Sequence, residues 1–210
     1  MTPNDFVALF RTARASAILR TNSTDAGRKA MEAAVRAGFV VCEFTLTTPG
    51  AMGLIREFAS KPGIVVGAGT VLTVEEAREA VAAGARFLVS PVVDEAVIDE
   101  AKRLNVAAMP GCSTPTEMLR AYRAGAQLQK LFPAPGIGAA WVSQTLGPLP
   151  FLNIVPTAGV TAENVSGYLK AGAFAVGFVN TLFDPGDIAA GRFDAIEARG
   201  RAMQQAVQGL

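Results

Sequence analysis

Of the five lysines in the chain, Lys29, Lys102 and Lys170 fall in helix-like stretches and Lys61 precedes a proline in a loop. Only Lys130 stands inside a strand-like run, "LQKLFPA" at 128–134. Of the eighteen acidic residues only Glu43, in "FVVCEFTL" at 39–46, stands in such a run. A charge inside a protein is costly unless it is paired, neutralised or used. Desolvation among Leu128, Leu131 and Phe132 disfavours an ammonium at Lys130, and a neutral amine there attacks a ketone to form a Schiff base. A nearby Glu43 carboxylate favours the ammonium, so the two effects oppose each other. A Schiff base makes a carbonyl compound an electron sink: an α-proton can leave, or an adjacent carbon–carbon bond can break, with Glu43 as the proton shuttle. The structural alternative is a Glu–Lys ion pair filling a core, or a lysine head that reaches to the surface.

Composition narrows the chemistry further. Histidine is absent from all 210 residues, which removes Ser-His and Cys-His nucleophile pairs, a histidine base and His-ligated zinc. No metal-ligand cluster is visible, so neither a metal nor another cofactor is expected. Cys42 and Cys112 share no C-x-x-C spacing; Cys42, on the strand face opposite Glu43, reads as packing, and Cys112 in "MPGCSTP" as a bystander near an active face. Nineteen basic residues against eighteen acidic ones, with no long block of either sign, leave no footprint for nucleic acid or an anionic membrane. Partners are expected to be small molecules or copies of the chain. No signal-like segment or membrane-length apolar run is seen, so a cytoplasmic location is expected.

The elements that must position Lys130 and Glu43 recur regularly. Eight short apolar runs, at 15–20, 39–46, 63–69, 86–91, 105–111, 127–133, 150–156 and 173–178, alternate with Ala/Glu/Arg-rich helical stretches opened by Thr, Asp or Pro chemistry and closed by glycine. The repeat is roughly 22 residues, enough for a βαβ crossover. Eight such units with strands buried on both faces argue for a single (β/α)8 TIM barrel over 1–210, with an extra N-terminal helix at 2–13 covering its floor. An open doubly wound sheet is the alternative. Strand periodicity puts Glu43, Thr45 and Thr47 on one face of the second strand, and Lys130 with Phe132 on one face of the sixth. Barrel active sites form at the C-terminal strand ends, so an amine and a carboxylate sharing the interior there suggest a class I, metal-independent aldolase.

Seven ordered motifs carry a resemblance over nearly the whole chain: "AILRTNS" (17–23), "CEFTLTTP" (42–49), "VVGAGTVLT" (65–73), "FLVSPVVD" (87–94), "AMPGCSTPTEML" (108–119), "QKLFPA" (129–134) and "PTAGV" (156–160). They resemble the 2-keto-3-deoxy-6-phosphogluconate (KDPG) and 4-hydroxy-2-oxoglutarate (KHG) aldolases. The resemblance implies a trimeric (β/α)8 enzyme without cofactor that releases pyruvate, with Lys130 as the Schiff-base lysine and Glu43 as the acid/base. It implies Thr70 and Pro91 for the pyruvate carboxylate, and Arg20 for anion binding in the branch that has threonine at Thr47. Phe132 joins them as a substrate-binding residue. The family's phosphate loop is matched by Thr157, Ala158 and Gly159, with Ala158 in place of a glycine. The turn after strand eight, "VGFVNTLF", includes Gly177 and Phe178 and lacks the family's serine. The implied substrate is a 6-phosphorylated 2-keto-3-deoxy sugar acid, gluconate or galactonate in configuration, as in Entner–Doudoroff metabolism. The alternatives are a KHG aldolase or a non-catalytic barrel that binds a sugar phosphate or keto acid.

Overall fold

Thr2, Pro3 and Asp5 start the first helix: the Thr2 hydroxyl accepts from the Asp5 amide while the Asp5 carboxylate accepts from the Thr2 amide, and proline occupies a position whose N–H would be unpaired. This is α1 (Pro3–Ala13) of the computed structural model, which describes residues 1–133 and 136–209. Ala134, the end of the "LQKLFPA" run, lies outside the described residues. After α1 come β1 (Ala15–Leu19), α2 (Thr24–Arg36), β2 (Val41–Thr45), α3 (Ala51–Ala59), β3 (Val65–Gly69), α4 (Val74–Ala82), β4 (Phe87–Ser90) and α5 (Glu95–Arg103). The second half holds β5 (Ala107–Cys112), α6 (Pro115–Ala124), β6 (Gln129–Leu131), α7 (Ala139–Leu146), β7 (Ile154–Pro156), α8 (Val165–Lys170), β8 (Val176–Phe178), α9 (Pro185–Ala189) and α10 (Phe193–Gln208). Among the described residues no helix is long and apolar enough to cross a membrane.

The strands are parallel, in the order β7-β6-β5-β4-β3-β2-β1-β8. The ends of that order meet: Thr157 bridges Gly177, and the Phe174 amide donates to the Ile154 carbonyl at 2.8 Å. The sheet closes into a (β/α)8 barrel, and the open doubly wound alternative falls away. Alternation along each strand sorts side chains into two apolar layers. Outward-facing Leu19, Cys42, Phe44, Val66, Leu88, Leu131 and Val176 pack beneath the helices. Inward-facing Val41, Val65, Phe87, Val89, Met109, Leu128 and Val155 fill the lower barrel together with Phe6 and Phe10 of α1. Leu131 thus shields the outside of β6, and of the apolar residues expected around Lys130 it is the one that does not share the interior.

The floor plug is aromatic. Phe6 stacks on Phe87 with ring centroids 4.5 Å apart, and Phe6 and Phe10, one helical turn apart, are both fully buried. Gly67 allows this, because a Cβ there would strike the Phe87 ring. Truncation at Phe6 would open a cavity under the barrel. Phe6→Ala is expected to lower stability by about 3–5 kcal/mol in urea denaturation, and a loss under 1 kcal/mol would mean that α1 is not a structural floor.

Candidate active site

β6 is three residues long, and side-chain amides secure it where the ladder is short. Gln129 accepts from the Asn153 amide and donates to the Ala126 carbonyl; Asn153 donates to the Gln127 carbonyl; Gln127 accepts from the Ala108 amide. This bracket ties β5, β6 and β7 together and aims Lys130 inward, where its side chain is 11% exposed. Its Nζ lies 5.3 Å from the centre of the Phe132 ring and 3.9 Å from Glu43 Oε1, too far for a hydrogen bond.

Glu43, on β2, is fully buried, and neither carboxyl oxygen has a hydrogen-bond partner among the described residues. Gly69 on β3 leaves the space that the carboxyl occupies, since a Cβ there would collide with Oε1. Burial raises the Glu43 pKa above the ordinary carboxyl range, opposed by the positive charges of Lys130 and Arg20. A carboxyl so placed changes protonation state readily when a ligand arrives, as an acid/base group must.

Above this pair opens a cavity of about 310 Å³ at the C-terminal strand ends. Arg20, Thr70, Pro91, Lys130, Phe132, Thr157, Ala158 and Gly159 line it, so most of the expected site residues converge. Arg20 crosses over β2 to donate to the Thr70 hydroxyl at 3.2 Å. On the opposite side, Ala158 and Gly159 both have left-handed backbones, with φ of 68° and 74°. The Thr181 hydroxyl donates to the Val160 carbonyl at 2.6 Å and joins this loop to the turn after β8. The amides of Gly159, Asn180 and Thr181 donate to no other described residue, and so remain available to an anion.

Besides the fully buried Glu43, three expected positions do not line the cavity. Thr47 stands exposed on the rim, 3.0 Å from the Thr45 hydroxyl. Gly177 lies beneath the cavity, its missing side chain giving room to Ile18 and Thr157. Phe178 points the other way, fully buried in the outer layer edge-on to Phe39, because successive strand residues face opposite sides. Conversely, Ile18, Thr45, Val179, Asn180 and Thr181 line the cavity. Thr45 shares the face of Glu43 and Val179 continues the inward face of Gly177 one residue past β8, so strand periodicity was the signal for these two; Asn180 and Thr181 lie in the turn beyond it, where periodicity gives none. Both cysteines are buried, with thiols pushed up to about 12, as suits packing residues.

The sequence of residues 7–199 matches the family model described as KDPG and KHG aldolase. The chain belongs to this aldolase family. It is 36% identical over 174 residues to a probable 2-dehydro-3-deoxy-6-phosphogalactonate aldolase of Rhizobium meliloti, covering 81% of this chain and 82% of that one. The Escherichia coli 2-dehydro-3-deoxy-6-phosphogalactonate aldolase is 29% identical over 197 residues, 91% and 95% of the two chains. Among solved structures, the KDPG aldolase of Legionella pneumophila, with pyruvate captured as a covalent carbinolamine, superposes with a TM-score of 0.85 at 25% identity, covering 94% of this aldolase and 97% of that chain.

Two consequences can be measured. Because the folded Glu43 pKa is raised, ionising it costs stability as pH climbs past the unfolded carboxyl value of about 4.3. Glu43→Gln is therefore expected to melt higher than the parent at pH 7–8, with the gap closing toward pH 4; a lower melting temperature at neutral pH would mean that Glu43 is held as a structural ion-pair partner. Ala158 occupies backbone space that costs an L-residue roughly 1 kcal/mol or more. Ala158→Gly should raise stability by up to about 1 kcal/mol in the same assay, and a loss of stability would contradict the strain.

Proposed function

We propose that this chain is a class I aldolase that cleaves a 6-phosphorylated 2-keto-3-deoxy sugar acid, of gluconate or galactonate configuration, to pyruvate and glyceraldehyde 3-phosphate. The observation that carries the reading is a buried lysine at the base of a cavity, 3.9 Å from a carboxyl that has no hydrogen-bond partner among the described residues. An ion pair kept for stability would be closed by hydrogen bonds. Family membership and the names of the relatives support the same reaction.

In this reading the Lys130 amine attacks the C2 ketone, and Glu43 shuttles the protons that expel water to leave an iminium. The C4 hydroxyl then gives its proton to Glu43, the C3–C4 bond breaks, and its electrons pass to the iminium nitrogen as an enamine while the aldehyde leaves. Protonation at C3 and hydrolysis release pyruvate and restore the lysine. Arg20, Thr70 and Pro91 take the carboxylate, and the free amides near Gly159, Asn180 and Thr181 take the phosphate. A shorter 4-hydroxy-2-oxoglutarate would fit the same lysine and leave the distal end unfilled. The motif resemblance also supports a homotrimer working in the cytoplasm, in carbohydrate breakdown of the Entner–Doudoroff kind.

The test is pyruvate release from a panel of 2-keto-3-deoxy acids with and without the 6-phosphate. The parent is expected to turn over at least one phosphorylated epimer, unchanged in excess chelator. Lys130→Ala is expected to show no turnover, and Glu43→Gln a loss of about 10²-fold or more. Activity lost to chelator and restored by zinc or magnesium, or a fully active Glu43→Gln, would overturn this mechanism; no pyruvate from any substrate would favour a binding barrel.

A further inference from the structure

Thr45 lines the cavity, is 2% exposed, and stands two residues beyond Glu43 on the same face of β2, roughly 7 Å nearer the barrel mouth along the strand. The Glu43 side chain spans that interval, because its carboxyl fills the space above Gly69, the residue paired with Thr45. Carboxyl and hydroxyl therefore stand at one level of the barrel, yet neither carboxyl oxygen has a hydrogen-bond partner among the described residues. Of the two unjoined groups Thr45 faces the cavity and Glu43 lies buried behind its wall, so a ligand oxygen seated against Thr45 approaches both.

The hydroxyls around Thr45 favour a donor directed into that space. Thr48 accepts from the Thr21 amide at 3.3 Å, which leaves its own hydrogen for Thr45 at 3.3 Å. Thr47 lies 3.0 Å from the Thr45 oxygen on the exposed rim, where either hydroxyl can donate; with Thr47 as the donor, both acceptor sites of Thr45 are filled. With its two acceptor sites so occupied, the hydrogen of Thr45 has the cavity to point into.

Resting on the aldolase reading above, we propose that Thr45 is a catalytic residue of the bond-breaking half of the reaction: its hydroxyl donates to the C4 oxygen. The substrate's C2 is held at Lys130, its carboxylate lies toward Arg20 and Thr70, and its tail lies toward Ala158 and Asn180. C4 lies between C2 and the tail, and its oxygen faces the wall that carries Glu43 and Thr45. As the C4 proton moves to Glu43 and the C3–C4 electrons move to nitrogen, the Thr45 hydrogen bond steadies the charge that develops on the oxygen while the aldehyde forms. Thr45 itself gains and loses no atom. In the reverse direction the same donor polarises the incoming aldehyde.

The assignment separates two half-reactions. Exchange of the pyruvate methyl hydrogens for deuterium passes through imine and enamine, uses Lys130 and Glu43, and involves no C4 oxygen. Cleavage involves all of them. Thr45→Val is expected to lower kcat for cleavage by about 10²-fold, the scale for losing one such donor, while the exchange rate, followed by NMR, stays within about twofold of the parent. Thr45→Ser, which keeps the hydroxyl, is expected to recover most of the cleavage rate. Equal loss of exchange and cleavage in Thr45→Val would reduce Thr45 to support of the Glu43 wall and overturn the proposal, as would cleavage at the parent rate. A parent that exchanges pyruvate protons but cleaves no 2-keto-3-deoxy acid would remove the C4 role while sparing the Schiff base; a parent that does neither would overturn the aldolase reading itself.

Discussion

A carboxyl with no hydrogen-bond partner among the described residues sits fully buried 3.9 Å from a lysine nitrogen, and the rest of the barrel is arranged around that pair. A buried carboxyl left in this state opposes folding. Closing the pair into a direct hydrogen bond would relieve the cost and also remove the base from service. The two groups share an interior without being joined, and a substrate's oxygens and protons can complete the set that the protein leaves open.

Keeping that gap requires space inside a barrel that would otherwise fill with branched side chains. The lower half is filled by Phe6, Phe10, Phe87 and Met109. Toward the mouth, glycines take over: Gly69 admits the Glu43 carboxyl, Gly111 admits the Pro91 carbonyl, and Gly177 admits Ile18 and Thr157. The amide bracket of Gln127, Gln129 and Asn153 fixes the short β6 from below. The apolar plug and this bracket hold firm the wall on which the reactive groups stand, so the open end can be built from hydroxyls and free amides without losing its shape.

Much of this was legible in the sequence because charge in a strand is rare and strand alternation is strict. Lys130 and Glu43 stood out against helices that carry most of the other charges, and glycine stops after alternate helices marked the repeat; Gly38, Gly84, Gly125 and Gly172 all adopt left-handed backbones at those stops. Alternation also explains the misplacements. Leu131 and Phe178 are one residue out of phase with the interior, so closeness in sequence placed them near the site when the pleat turned them outward. What lay beyond pattern was geometry past the strand ends. The Thr181 hydroxyl tying two loops, the left-handed Ala158 and the threonine cluster around Thr45 depend on loops meeting across the barrel mouth. Periodicity carries no information about such meetings.

The central claim is that Lys130 is a nucleophile and not one half of a structural ion pair. The direct test is reduction with borohydride in the presence of pyruvate, followed by peptide mass mapping. The account predicts one reduced pyruvyl adduct, on the peptide containing "LQKLFPA", with Lys29, Lys61, Lys102 and Lys170 unmodified and no adduct in Lys130→Ala. An unmodified Lys130, under conditions that label a known class I aldolase, would contradict it.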